Sequence, residues 1–507
     1  MTTVQENNRR IAKNTIFLYV RMAIIIIVTL YTSRVILNAL GVSDYGVYNV
    51  MGGVIGMLGY VNTLLAGGTS RFLTIELGKG DINKLIKTFS TTQTLCIISA
   101  GIIIFLGETI GLWFVNTHLN IDPGRMNAAN WVYQCALLSS ALTIIQTPFT
   151  ASIISHEKMS IYAYMSIFDA LIKLSIAFAL TIYNHDKLKL YALLMLVANI
   201  VNIVIYRIYC IKNFKECTIS LSIDKTIFPK LFSYSSWNTI GALAGVLINY
   251  GTNILLNIFF GTIINAARGI AQQVNSVIQQ FYSNFQLASR PQIMKYYAQN
   301  DLQNMFNLIR NNSKYSAFLL ICFIIPIGVN IDGILLLWLG QIPEYTAIFV
   351  KLALIQTLLS AIDAPIGMGL HSVGRMKLPN LSSACLNILA FPLTYIAFKA
   401  GGSPTWGYII MIIILPLVLI IDLSILKHYT GFNIKIFIIK VIIPILFAIL
   451  LGITLSLLIK YLLPENHIWY ITLINCTLSF IMTAIAIFFI WIPRNLKKII
   501  LNKVFNK

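Results

Sequence analysis

The stretch GTIINAARGIAQQVNSVIQQFYSNF, residues 261–285, sets Arg268 and the amides Gln272, Gln273, Asn275, Gln279 and Gln280 among long apolar segments. An arginine presents a weakly hydrated planar fork of N–H donors that holds a phosphate bidentately. Amides both donate and accept. Taken as a helix at about 100° per residue, Gln272, Asn275, Gln279, Tyr282 and Gln286 fall within roughly 40° of Arg268. Ile270, Val274, Val277, Ile278, Phe281 and Phe285 occupy the opposite arc. The segment could lie flat at a membrane surface, span as a helix whose amides bond its neighbours, or span with its polar face on a hydrated cavity. The last is favoured, because a whole stripe of amides plus an arginine exceeds what neighbouring helices easily satisfy.

Other charges sit inside apolar runs, where they are costly and usually face a bundle interior or cavity. Arg21 and Arg34 lie on the first run, about 140° apart on a straight helix. Arg34, near the outer end, could equally snorkel to the interface. Asp169 and Lys173 are one turn apart on one face, as a structural ion pair or a coupling-ion site. Asp363, in AIDAPIGMG, precedes Pro365 and could mark a helix break, whereas Asp422 reads as interfacial. Mid-depth arginines in both halves of the chain suit an anionic substrate.

These residues must be positioned by membrane helices. The chain has 507 residues, 57% hydrophobic and 11% charged, with mean hydropathy +0.79, against about 25% charged in soluble domains. Its apolar runs of roughly 20 residues have helix-spanning length, and a hydrocarbon environment leaves helices as the economical element. The expectation is an all-α polytopic membrane protein with fourteen spans, near 14–38, 45–67, 88–115, 128–150, 161–183, 189–209, 232–259, 262–287, 314–338, 346–369, 379–399, 405–426, 437–460 and 468–492. The first run is too long for a signal peptide and has no small-residue cleavage site, so it reads as an uncleaved span.

With both termini placed in the cytoplasm, 27 Lys and Arg fall on that side and 7 opposite, with Arg21, Lys173 and Arg268 inside spans. That bias follows the positive-inside rule. It accounts for the net charge of +20 without nucleic acid. Laying the 262–287 segment on the surface would move Arg290, Lys295, Arg310 and Lys314 outside and worsen the count. The seven cysteines are scattered and suggest neither a disulfide framework nor a metal site. The outer loops are too short for a catalytic domain, and no phosphate loop or nucleophile motif appears, so no enzymatic activity is expected.

An internal repeat organises the chain. ILNALGVSDYGVYNV and SRFLTIELGKGDINKLIKTF are echoed by LLNIFFGTIINAARGIA and SRPQIMKYYAQNDLQNMFNLI. Gly41 pairs with Gly261 and Asp81 with Asp301 at an offset of 220, and Ser70-Arg71 with Ser289-Arg290 at 219. The copies would be parallel six-helix lobes, 1–213 and 214–426, with 427–507 adding helices 13 and 14 and a basic cytoplasmic tail. Such repeats frame substrate sites in secondary transporters.

The pattern TLYTSRVILNALGVSDYGVYNVMGGVIG, with SRFLTIELGKGD and SRPQIMKYYAQND, resembles the polysaccharide-transport proteins, the Wzx-type O-antigen and capsule flippases of the multidrug/oligosaccharidyl-lipid/polysaccharide (MOP) exporter superfamily. The resemblance implies two lobes around a central cavity that opens to each side in turn. It also implies a bacterial inner-membrane location and a lipid groove helped by helices 13 and 14. The substrate it implies is an undecaprenyl-pyrophosphate-linked oligosaccharide. By that resemblance Arg21, Arg34 and Arg268 match the pyrophosphate-binding arginines, although no second basic residue lies close to Arg268. Gln272, Asn275 and Gln279 would then bond sugar hydroxyls, and Asp169, Lys173 and Asp363 are the ion-coupling candidates. No cofactor or metal is expected beyond a coupling H+ or Na+. Membrane lipids and the pathway's glycan polymerase and glycosyltransferases are candidate partners. The competing readings are a cation-coupled multidrug exporter of the same superfamily and a membrane-embedded glycan polymerase or ligase.

Overall fold

The computed structural model describes residues 2–59, 69–70, 72–74, 76–156, 158–218, 222–224, 227–229, 245–287, 289–374, 377–463 and 469–491, leaving aside the side chains of 2–23 and of ten or so scattered positions. These residues are almost entirely helical, with no strand among them. Among the described residues, eleven helices are long and apolar enough to cross a membrane. The expected spans 45–67 and 232–259 lie partly outside the described residues. The expected span 262–287 is a helix of 26 residues.

The outer surface is apolar, as a hydrocarbon environment requires. Tyr461 is 83% and Ile182 82% exposed, and Phe105, Phe447 and Leu450 also point outward. Prolines 148, 326, 365, 392 and 416 sit inside helices, a placement that membrane helices tolerate because neighbours and local adjustments satisfy the freed carbonyls.

The chain clusters into two compact units, residues 1–266 and 267–507. In the first, helix α1 (Thr2–Gly59) runs on through a kink at Gly41, where a loop had been expected between two spans. It packs on α3 (Met126–Ser155) and α4 (Met159–Ile182), while α2 (Ile82–Leu106) and α5 (Lys187–Asn213) flank α3. Val47, Val50, Met51 and Val54 of α1 share a core with Cys96, Ile103, Tyr133 and Leu137.

Glycines on α1 admit the segment 245–266, whose helix α6 spans Thr252–Phe260. A Cβ on Gly46 would stand 1.9 Å from the Thr262 carbonyl oxygen, and one on Gly56 2.3 Å from the Tyr250 ring. Amides close this joint. Asn253 donates to the Asn49 carbonyl (3.1 Å). Asn265 donates to the Asn253 side chain (2.9 Å), and Asn257 donates to Asn265 (3.0 Å). Asn257 also accepts from the Asn120 backbone (2.8 Å). All three side chains are buried, so each hydrogen bond removes a desolvation cost. Beside it Arg125 forks onto Asp44 and also reaches Asp186 at 3.1 Å.

In the second unit, helix α7 (Thr262–Leu287, which crosses the boundary) is followed by α8 (Arg290–Ala298), α9 (Leu302–Val329), α10 (Ile331–Leu339), α11 (Thr346–Val373), α12 (Lys377–Lys399) and α13 (Trp406–Thr430). Helices α14 (Ile443–Leu462) and α15 (Trp469–Trp491) pack on each other and on α9.

The backbone is alike at positions that the sequence repeat pairs. Gly41 (φ 77°, ψ 169°) and Gly261 (φ 79°, ψ −173°) share a conformation open to glycine. Gly80 (φ 73°) and Asn300 (φ 59°) both turn left-handed. The next residues, Asp81 and Asp301, cap their helices by accepting from the amides of Lys84 (3.0 Å) and Asn304 (3.2 Å).

Candidate functional site

Helix α7 begins directly after the Gly261 turn, whose N–H donates to the Asn257 carbonyl at 2.8 Å. Its polar stripe divides by height. Arg268 is only 8% exposed, with its guanidinium carbon 5.4 Å from the centre of the Tyr408 ring on α13. Gln272 and Gln279 are exposed. Asn275 is half-buried and accepts from the Thr357 hydroxyl on α11. Gln286 is buried, donating to the Ala361 carbonyl (2.8 Å) and to Ser316 (3.2 Å). Asn275 and Gln286 bond neighbouring helices, while Gln272 and Gln279 are exposed, the latter reaching the Tyr282 hydroxyl at 3.5 Å.

Arg34 is exposed on α1. Arg21 lies on the same helix, but its side chain is outside the described residues.

Asp169 and Lys173 form an ion pair at 2.7 Å on α4, and Asn202 of α5 donates to the other carboxylate oxygen at 2.7 Å. Both carboxylate oxygens are thus met from within the chain. The pair borders two adjoining cavities of about 440 and 380 Å³, which share Thr143, Asp169, Lys173 and Asn199 in their linings.

Asp363 sits on α11 two residues ahead of Pro365, inside a continuous helix where a break had been expected. Its Oδ1 is buried without a hydrogen-bond partner. Asp422 of α13, read from the sequence as interfacial, is instead buried and accepts from Ser383 of α12 at 3.1 Å. It lies within electrostatic reach of Asp363. Among the described residues no three His, Cys, Asp or Glu side chains gather to hold a metal.

The repeat relates the stripe on α7 to one on α1. The residues of α1 that line the larger cavity are Tyr48, Gly52, Ile55, Gly56 and Gly59. Moved by the offset of 220 that aligns Gly41 with Gly261, they fall on Arg268, Gln272, Asn275, Ser276 and Gln279. The polar stripe of the second copy takes the register of the cavity-facing stripe of the first.

No family model and no curated protein matches the chain. Solved structures do. One is the lipid II flippase MurJ in an inward closed conformation, with TM-score 0.67 and 13% identity over 94% of this chain and 99% of that one. The fold is that of the MOP-superfamily transporters. An inward-facing multidrug resistance MATE family transporter of the MOP superfamily shares it with TM-score 0.59 and 12% identity, over 82% of this chain and 99% of that one. The MATE multidrug transporter DinF-BH does so with TM-score 0.58 and 15% identity, over 84% and 97%. At such identities the likeness is one of architecture. Within the MOP fold, chemistry belongs to individual side chains.

Sequence reasoning singled out α7 because five amides and an arginine in one span make a periodic signal. It passed over Tyr408, Gln146, Asn199 and Asn202. Asn199 and Asn202 stand three residues apart in an apolar run, a helical spacing that could have drawn notice.

Proposed function

We propose that the chain is a flippase that carries an undecaprenyl-pyrophosphate-linked oligosaccharide across the bacterial inner membrane by alternating access, from the cytoplasmic to the outer leaflet, with both termini cytoplasmic. The observation that carries this reading is the register of the α7 stripe on a cavity-facing stripe of the first copy. An arginine followed by exposed amides along one helix face suits a substrate with one anionic end and many hydroxyls. The similarity to the lipid II flippase supports it, since that match spans 94% of the chain against 82–84% for the two MATE transporters.

The test is surface-glycan export in cells carrying Arg268→Ala. Export should collapse while the protein stays in the membrane at its normal level. Normal glycan display at normal protein level would remove Arg268 from the site.

Cation-coupled drug export is the second reading, favoured by the fold shared with the MATE transporters. A deletion strain hypersensitive to cationic drugs, with its surface glycan unchanged, would decide for it.

For coupling, we propose Asp363 and Asp422, two carboxylates near each other, the second buried and the first with one buried oxygen unpaired. A proton or Na+ between them would relieve their repulsion. Substrate movement in proteoliposomes should respond to an imposed H+ or Na+ gradient in the wild type and lose that response in Asp363→Asn. An unchanged response would discard the site.

A further inference from the structure

We propose that the paired cavities in the first unit are a sugar-binding site, distinct from the stripe on α7. The lining carries polar groups that the fold itself leaves unsatisfied. Gln146 on α3 is 7% exposed and lines the smaller cavity, yet neither its Oε1 nor its Nε2 has a hydrogen-bond partner. Asn202 spends its N–H on Asp169 and leaves its own Oδ1 buried and unpaired. Burying an amide without partners costs its whole desolvation energy. A ligand that both donates and accepts would recover that cost.

The charges indicate which ligand. Lys173 and Asp169 cancel at 2.7 Å, and Asn202 holds the remaining carboxylate oxygen. Among the described residues the lining thus presents neither a spare positive charge for an anion nor a free carboxylate for a cation. What the lining offers is neutral: the unpaired Gln146 amide and Asn202 Oδ1, the Ser140 hydroxyl, the hydroxyls of Thr143 and Ser139 that Asn199 already meets, and the rings of Tyr48, Tyr162 and Tyr250. Hydroxyl-matching amides beside aromatic faces suit a pyranose, which has polar edges and an apolar face. Each cavity lies within the range of roughly 300–1,000 Å³ typical of small-ligand sites. Glycine at position 52, where the second copy has Gln272, keeps that part of the α1 side clear, since a Cβ there would meet nothing within 4 Å.

The inference rests on the flippase reading only for where the sugar comes from, as one residue of the lipid-linked oligosaccharide. It is tested on full-length protein purified in a detergent without a sugar head group. Methyl glycosides of glucose, galactose and N-acetylglucosamine are titrated while the thermal midpoint is followed, with glycerol and NaCl as controls. At least one glycoside should raise the midpoint saturably where the controls do not. Gln146→Leu should raise the midpoint of the unliganded protein, because an unpaired amide is gone, and should weaken the glycoside response at least tenfold. Thr143→Val should weaken it too, and serves if Gln146→Leu does not fold. No response to any glycoside overturns the site, as does an undiminished response in both variants. A rise specific to Na+ and lost in Asp169→Asn also overturns it, in favour of a cation site. Glycoside binding with intact glycan export in Arg268→Ala would count against the α7 role and leave this site standing. Export dependent on Arg268 without glycoside binding would do the reverse.

Discussion

The Arg268 guanidinium lies over the ring of Tyr408, its central carbon 5.4 Å from the ring centre, and both side chains are buried. A delocalised cation over an aromatic face gains about 0.5–2 kcal/mol, more as water is excluded. The Tyr408 hydroxyl contributes no hydrogen bond to its surroundings, so the ring face is what matters. Tyr408→Phe should therefore match or slightly exceed the wild-type thermal midpoint, and Tyr408→Leu should fall below it and export less glycan. A Phe variant as impaired as the Leu variant would show that the hydroxyl, not the ring, holds the arginine.

Two glycines of α1 should respond in opposite directions to the same change. Gly46→Ala drives a methyl into the Thr262 carbonyl, and overpacking of this kind costs about 1–3 kcal/mol. Gly52→Ala meets nothing within 4 Å and replaces a helical glycine, a change that gains about 0.5–1 kcal/mol. Thermal midpoints of the two variants check both signs. Because Gly52 lines the larger cavity, the more stable variant should also hold less ligand.

Asp186, beside Arg125, predicts an acid limit to stability. Burial pushes the Asp186 carboxyl up, but the bonds from the Arg125 side chain and the Lys189 backbone outweigh it and hold the group below the usual carboxylate range. A depressed folded-state pKa contributes stability that is fully present above the unfolded value, near 4. That contribution is lost as pH falls through the folded value. Wild-type thermal midpoints measured from pH 7 down to pH 4 and below should fall more steeply than those of Asp186→Asn, which keeps a capping side chain but no charge. Parallel curves would locate the acid sensitivity elsewhere.

Much of the architecture was legible in the sequence, since apolar runs of bilayer length admit few structures but helices. The repeat was legible because its left-handed turns need special residues, Gly41 and Gly261 above all. Helical periodicity put Arg268 and the amides on one face, but a face says nothing of what covers it. The partner of Arg268, Tyr408, comes from a helix 140 residues away with no local mark. Gln146 stayed hidden because a lone amide in an apolar run reads the same whether it is paired or not. Asp422, close to the end of its run, looked interfacial, and only the packing of α12 against α13 buries it.

The joint between α1 and the 245–266 segment is made of neutral amides, Asn253, Asn257 and Asn265, with backbone partners at Asn49 and Asn120. A transmembrane potential does work only on charge that moves along the field, about 2.3 kcal/mol per elementary charge per 100 mV. Parting these amides displaces no full charge. Opening this joint would therefore draw nothing from the membrane voltage, and an electrical step in the proposed transport cycle would fall to charged groups elsewhere in the chain.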